Sequence, residues 1–196
     1  MDILKLLKER GALLEGHFLL SSGLHSDKYV QCATVLQYPD VAERLAGFLI
    51  KKISSTYQPV NLSTISCVVS PAIGGVIIGH EVARQLGCRF IFLERENGKM
   101  VLRRGFEIKK KERCLVVEDV ITTGGSTREV MMAVRKSGGK VAGVCAIIDR
   151  LGLKNFANSL LRMEFKTYRA PDCPLCRKKM PIVKPGSKKQ EARSKK

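Results

Sequence analysis

Between residues 65 and 148 the chain repeats one pattern: a short apolar run, a turn of small residues, an amphipathic stretch, then another apolar run. Ile65–Val69, Arg89–Leu93, Cys114–Val117 and Val141–Ile148 are mostly continuous in their apolar character and rich in β-branched residues. Strands of that kind bury both faces. Helices are expected over Gly75–Leu86, closed by Gly87, and from about Thr127 to Ser137, closed by Gly138 and Gly139. Strand, helix and strand in alternation imply an α/β fold: a parallel sheet built from right-handed crossovers, with helices on both faces. Pro39 opens a further helix whose apolar stripe is Val41, Ala42, Leu45, Phe48, Leu49 and Ile53.

The chain's 196 residues suffice for one well-cored domain, taken as 1–176. Its beginning reads differently from the repeat. A short helix over Asp2–Arg10 stops at Gly11, and two short strands, His17–Leu20 and Lys28–Cys32, flank a Ser-Ser-Gly turn. Residues 1–38 or so are therefore expected to form a small N-terminal hood. The net charge of +17 points to nucleic acid, acidic lipid or a polyphosphate, but the tail Arg177–Lys196 holds +8 of it. The tail is expected to be flexible, and the remaining +9 suits a protein that binds several phosphates. No apolar run approaches the length of a membrane span, and MDILKLLKERG lacks a signal-peptide pattern, so the cytoplasm is expected.

In parallel sheets of this kind, ligands lie beyond the carboxyl ends of the strands. Three segments fall there: SPAIGG after the first strand, EDVITTGGS after the third, and Asp149-Arg150 after the fourth. In TTGGS the glycines allow close backbone approach, and the N–H groups of the following helix favour an anion. Thr122, Thr123 and Ser126 add hydroxyl donors. Glu118 and Asp119 would repel that anion unless a diol or Mg²⁺ intervenes. As strand neighbours they are expected on opposite faces. A phosphorylated ribose meets both demands, with its phosphate on the loop and its hydroxyls on the acids. Neither G-x-x-x-x-G-K-[ST] nor G-x-G-x-x-G occurs, so no other phosphate motif competes.

The run LVVEDVITTGGS resembles, without a gap, the 5-phosphoribosyl-1-pyrophosphate (PRPP) motif of type I phosphoribosyltransferases. FLLSSGLHSDKYVQ, IIDRLG and the DCPLC and VKPGS segments resemble blocks of the orotate phosphoribosyltransferases, so the likeness spans nearly the whole chain. It implies transfer of the phosphoribosyl group of PRPP to orotate, within pyrimidine biosynthesis. It implies PRPP contacts from Glu118, Asp119, Val120, Ile121, Thr122, Thr123, Gly124, Gly125, Ser126, Ala72 and Gly74. Orotate would meet Thr122, Arg150, Tyr29 and Ser22. A guanidinium fork such as that of Arg150 suits orotate's carboxylate. The polar segment Glu94–Phe106, hinged at Gly98 and Gly105, resembles the family's mobile catalytic lid. Arg95, Lys99 and Asp119 are the implied catalytic groups, with Arg103 a weaker candidate. The resemblance also implies Mg²⁺, held mainly by PRPP and near Glu118 and Asp119, and a homodimer; neither a membrane nor nucleic acid is an expected partner. Many family members have Lys where Gly74 and Ser21 stand here, so two cations are missing from this chain. The alternatives are a purine phosphoribosyltransferase, or a PRPP-sensing regulator that binds nucleic acid.

Seven cysteines make an odd count, and most sit in apolar, strand-like contexts. They read as small buried hydrophobes in a reducing compartment. Cys173-Pro-Leu-Cys176 is a single C-x-x-C pair with no second pair or His after it. It is expected to be a free thiol pair, with a redox pair or a zinc ion shared across a dimer as alternatives. His17, His25 and His80 show no ligand spacing, and structural or surface duty is expected of them.

Overall fold

The structure is a computed structural model that describes residues 2–20, 22–55, 60–150, 152 and 155–185. In chain order its elements are α1 (Ile3–Glu9), β1 (Leu13–Leu19), β2 (His25–Val30), α2 (Ala33–Leu36), α3 (Pro39–Ser54), β3 (Cys67–Pro71), α4 (Gly75–Leu86), β4 (Arg89–Glu96), β5 (Lys99–Leu102), β6 (Arg113–Ile121), α5 (Gly125–Lys136), β7 (Lys140–Asp149), β8 (Asn158–Arg162), β9 (Thr167–Tyr168) and α6 (Pro174–Arg177). The chain divides into two compact units: Met1–Ala12 with Cys32–Glu164, and Leu13–Gln31 with Phe165–Lys196.

The first unit is the α/β body expected from the alternating pattern. Its six-stranded sheet has the order β5-β4-β3-β6-β7-β8. All neighbours pair in parallel except β5, which runs antiparallel to β4. Alternation along the strands sorts the core into two faces. Val69, Val116 and Ala146 join Val130 and Val134 of α5 in one buried cluster. On the opposite face α4 lies so close to the sheet that a Cβ on Gly79 would collide with Ser70 Oγ. α3 buries Val41, Ala42, Leu45, Ala46, Leu49 and Ile53. Ala46 takes the place expected for Phe48, which is only half-buried. At 100° per residue Ala46 falls inside the stripe and Phe48 at its margin.

The segment Glu94–Phe106, expected as a mobile lid, is a β-hairpin over much of its length. Asn97 and Gly98 turn with φ of 49° and 79°, the positive values that a tight primed hairpin turn requires. Met100, Leu102 and Phe106 then pack against the buried cluster shared with α5. Those apolar contacts hold a stretch whose charge suggested a solvated loop.

The second unit is a small antiparallel sheet of order β1-β2-β9. The hood expected from about residues 1–38 thus has a strand from the far end of the chain, and residues before Leu13 group with the body. The start of the basic tail is ordered as well. Val183 N donates to His17 O at 2.8 Å and Leu19 N to Val183 O at 2.9 Å. The rest of the tail, residues 186–196, lies outside the described residues, as does Ser21.

Candidate active site

β6 continues past its apolar run to Ile121, because β7 extends beside it. Glu118 pairs with Ala146, Val120 with Ile148, and Ile121 with Asp149. Arg150 N donates to Ile121 O at 2.8 Å, which fixes Arg150 beside Thr122 at one sheet edge. The turn after β3 reaches the same edge. Ala72 N donates to Leu93 O at 2.7 Å, and Ile73 is 88% exposed.

Glu118 and Asp119 do not face apart, as strand alternation predicted. Both side chains approach the first residues of α4. Two glycines at the start of α4 make this possible. A Cβ on Gly74 would lie 2.5 Å from Asp119 Oδ1, and one on Gly75 would lie 3.3 Å from Glu118 Oε1. Both carboxyls therefore occupy space that side chains would otherwise fill. The lysine common at the position of Gly74 has no room here while Asp119 keeps this rotamer.

Burial dominates the electrostatics of the pair. It pushes Glu118 up to about 9, and the neighbouring charge of Asp119 adds to the rise. Asp119 is also raised, again chiefly by burial. The Cys32 thiol nearby is raised by its own burial first and then by the charges of Asp119 and Glu118. At neutral pH Glu118 keeps its proton.

A pH dependence of stability follows. Glu118 titrates above its ordinary 4.5 in the folded chain, so the unfolded chain releases this proton first. The group then destabilises the folded state progressively as pH rises from about 5 toward 9. Glu118→Gln should flatten that fall, whose slope for one proton is at most about 1.4 kcal/mol per pH unit. Urea midpoints across this range check it; identical slopes in variant and parent would refute the assignment.

The loop Thr122–Ser126 turns into α5 through Gly124, whose φ of 74° is left-handed. Thr122, Thr123 and Gly125 are exposed, and Ser126 is half-buried. The first N–H groups of α5 have no intrahelical acceptor, and the helix dipole makes their end positive. Arg128, which the sequence reading passed over, braces this loop. Its Nη1 donates to Thr123 O at 2.8 Å, and its guanidinium lies 4.8 Å from the Phe156 ring centroid.

Arg95 is brought to the same loop. Its Nη2 donates to Ser126 Oγ at 3.3 Å and pairs with Glu129 Oε1 at 3.3 Å. Glu129 Oε2 also accepts from Met100 N at 2.8 Å, so this one carboxylate ties the hairpin to α5. Glu129 had no local signal in the sequence. Lys99 is exposed at the start of β5, opposite Glu96. Arg103 pairs with Glu96 at 3.4 Å. Tyr29 and Ser22 belong to the second unit, where the Tyr29 ring lies 5.8 Å from that of Phe18.

Chemically, this edge combines an anion-binding helix start, the buried carboxyl of Glu118 and the half-buried one of Asp119, the guanidinium of Arg95, and Arg150 at the end of the next strand. Residues 34–159 match the family model described as "Phosphoribosyl transferase domain". An orotate phosphoribosyltransferase of Pelotomaculum thermopropionicum is 52% identical over 194 residues, covering 96% of this chain and 97% of the relative. One from Caldicellulosiruptor bescii is 50% identical over 191 residues, covering 95% and 97%. Among solved structures, orotate phosphoribosyltransferase from Aeropyrum pernix superposes with a TM-score of 0.68 at 25% identity, covering 82% of this chain and 93% of that one.

Proposed function

The chain belongs to the phosphoribosyl transferase domain family, and from that premise we propose the reaction at this edge. The protein is an orotate phosphoribosyltransferase: orotate and PRPP give orotidine 5′-monophosphate and pyrophosphate. The observation that carries this reading is the adjacency of a helix-start anion loop to the carboxyls of Glu118 and Asp119, in a chain alike over nearly its whole length to proteins of that name.

The 5′-phosphate of PRPP sits on the N–H groups of Thr123–Ser126 and on the loop hydroxyls. Asp119 and Glu118 accept from the ribose hydroxyls. Ala72 and Gly74 offer main-chain N–H groups to the pyrophosphate. Arg150 and Thr122 hold orotate. As the bond from C1′ to pyrophosphate lengthens, positive charge grows on the ribose. Asp119 stabilises that charge, and Arg95 and Lys99 stabilise the departing pyrophosphate. No covalent nucleophile is needed.

Magnesium fits this donor set, since the carboxyl oxygens of Glu118 and Asp119 are hard ligands that both reach the start of α4. When bound with PRPP it would supply charge neutralisation on the pyrophosphate. A homodimer is part of this reading. Ile73 is 88% and Ile77 45% exposed at the start of α4, apolar surface that a second copy can cover; light scattering on the pure protein checks the mass. No described helix is long and apolar enough to cross a membrane. A cytoplasmic location fits seven unpaired cysteines.

Arg95→Ala should lower kcat by about 100-fold, as loss of one preorganised cation does. KM for PRPP should change far less, because the charge that Arg95 meets grows as the bond breaks. Steady-state kinetics with PRPP varied decide it, and an unchanged kcat would remove Arg95 from the reaction. The reaction itself is tested by incubating protein, PRPP, Mg²⁺ and orotate while following orotate absorbance, with adenine, hypoxanthine and uracil as controls. Consumption of a purine instead of orotate would overturn the assignment.

A further inference from the structure

Four side chains with metal-ligand chemistry meet in the second unit. They are His17, His25, Cys173 and Cys176, and their ligand atoms all lie within 4.8 Å of one another. We propose that they form a structural zinc site that ties the β1–β2 hairpin to the C-terminal segment.

The backbone explains how they meet. Leu19 pairs with His25 across the hairpin, and His17, two residues before Leu19, shares that face. The register slips between Glu15 and Phe18, a bulge of the kind that re-aims a side chain. Cys173 is the N-cap of α6, with Pro174 after it, and Cys176 lies one turn on. That spacing puts both thiols on one side of the turn. Sequence reading had found no partners for the C-x-x-C pair because the histidines lie more than a hundred residues upstream.

The distances fit one small ion. Cys173 Sγ lies 3.6 Å and Cys176 Sγ 3.7 Å from His17 Nε2, and Cys176 Sγ lies 3.3 Å from His25 Nδ1. Tetrahedral zinc with bonds of about 2.05 Å to nitrogen and 2.3 Å to sulfur sets nitrogen–sulfur edges near 3.6 Å. The two imidazole nitrogens, 2.8 Å apart, need open by only about half an ångström to reach the corresponding edge. An outer contact is already in place. His17 Nδ1 lies 2.9 Å from Met180 O, and only as a donor can it bond a carbonyl. Neutral His17 therefore turns the lone pair of Nε2 toward the cluster, the arrangement typical of a metal-bound histidine.

The unit also needs such a link. Its buried apolar side chains among the described residues are only Leu13, Phe18 and Cys173, while His17 and His25 are 3% and 7% exposed. A unit with so thin a core is commonly held by a metal or by disulfides, and all seven cysteines are free. Two thiolates and two imidazoles in tetrahedral array select zinc over magnesium or calcium.

The test uses the full chain, purified without chelator. Elemental analysis should find about one zinc per chain, and the Cys173→Ser, Cys176→Ser double variant should lose it. Cobalt loaded into the parent chain should give tetrahedral ligand-field bands and a thiolate-to-cobalt charge-transfer band. Zinc removal should lower the thermal midpoint, with recovery on adding zinc back. Metal well below one equivalent after incubation with zinc, or metal retained by the double variant, would overturn the site. If the double variant does not fold, the cobalt spectrum of the parent decides alone: no thiolate band means a hydrogen-bonded thiol–imidazole cluster and no metal centre.

Discussion

Asp119→Ala lowers kcat/KM for PRPP by about 100- to 1000-fold. Hydrogen bonds to a charged group contribute about 1.5–3 kcal/mol each, and each 1.4 kcal/mol is a factor of ten. Asp119 offers two oxygens to vicinal hydroxyls and places negative charge beside a developing cation, so one or two such bonds are lost. The structure adds a second expectation of opposite sign. Burial raises the proton affinity of Asp119, so the folded protein bears a cost for keeping this carboxyl where it is. Its removal should leave the thermal midpoint unchanged or higher while activity falls, the trade-off expected of a site strained for function. Initial rates over a range of PRPP, with a thermal melt of the same sample, test both halves. A variant within a few-fold of the parent in kcat/KM would mean that the pair does not grip the ribose.

Leu45→Ala should destabilise the body by about 2–5 kcal/mol, the range for emptying a fully buried leucine site. Leu45 is 0% exposed on α3. That helix packs on α4, β7 and β8, so the void has walls on several sides and little freedom to collapse. For a chain of this length each kcal/mol shifts the midpoint by about 2–4 °C, which predicts a fall of about 4–20 °C. Phe48→Ala is the control. A larger side chain is removed there, yet from the half-buried margin of the same helix. It should cost less than Leu45→Ala. The reverse order, measured by chemical denaturation, would show that the apolar stripe is set wrongly.

Much of the body was legible because its signals are local. Continuous apolar runs bounded by glycine marked the central strands, and α4 begins and ends where Gly75 and Gly87 suggested. The Glu94–Phe106 segment shows how a local signal is overridden. Asn97-Gly98 is a strong hairpin turn, but the segment has six charged side chains, Glu94, Arg95, Glu96, Lys99, Arg103 and Arg104, and was expected as a mobile loop. Its packing depends on Met100 and Leu102 reaching the buried cluster, a contact with no trace at nearby positions.

From the chain alone came the chemistry of the edge: a glycine-rich helix start, two acids before it and an arginine at the end of the next strand, since loop residues must stand where their strands end. Tertiary structure alone decided that Glu118 and Asp119 both reach the start of α4, because the room for them is made by Gly74 and Gly75, more than forty residues earlier. It likewise joined two histidines near one terminus to two cysteines near the other. Both outcomes depend on packing between segments remote in sequence, and periodicity within a segment carries no information about its distant neighbours.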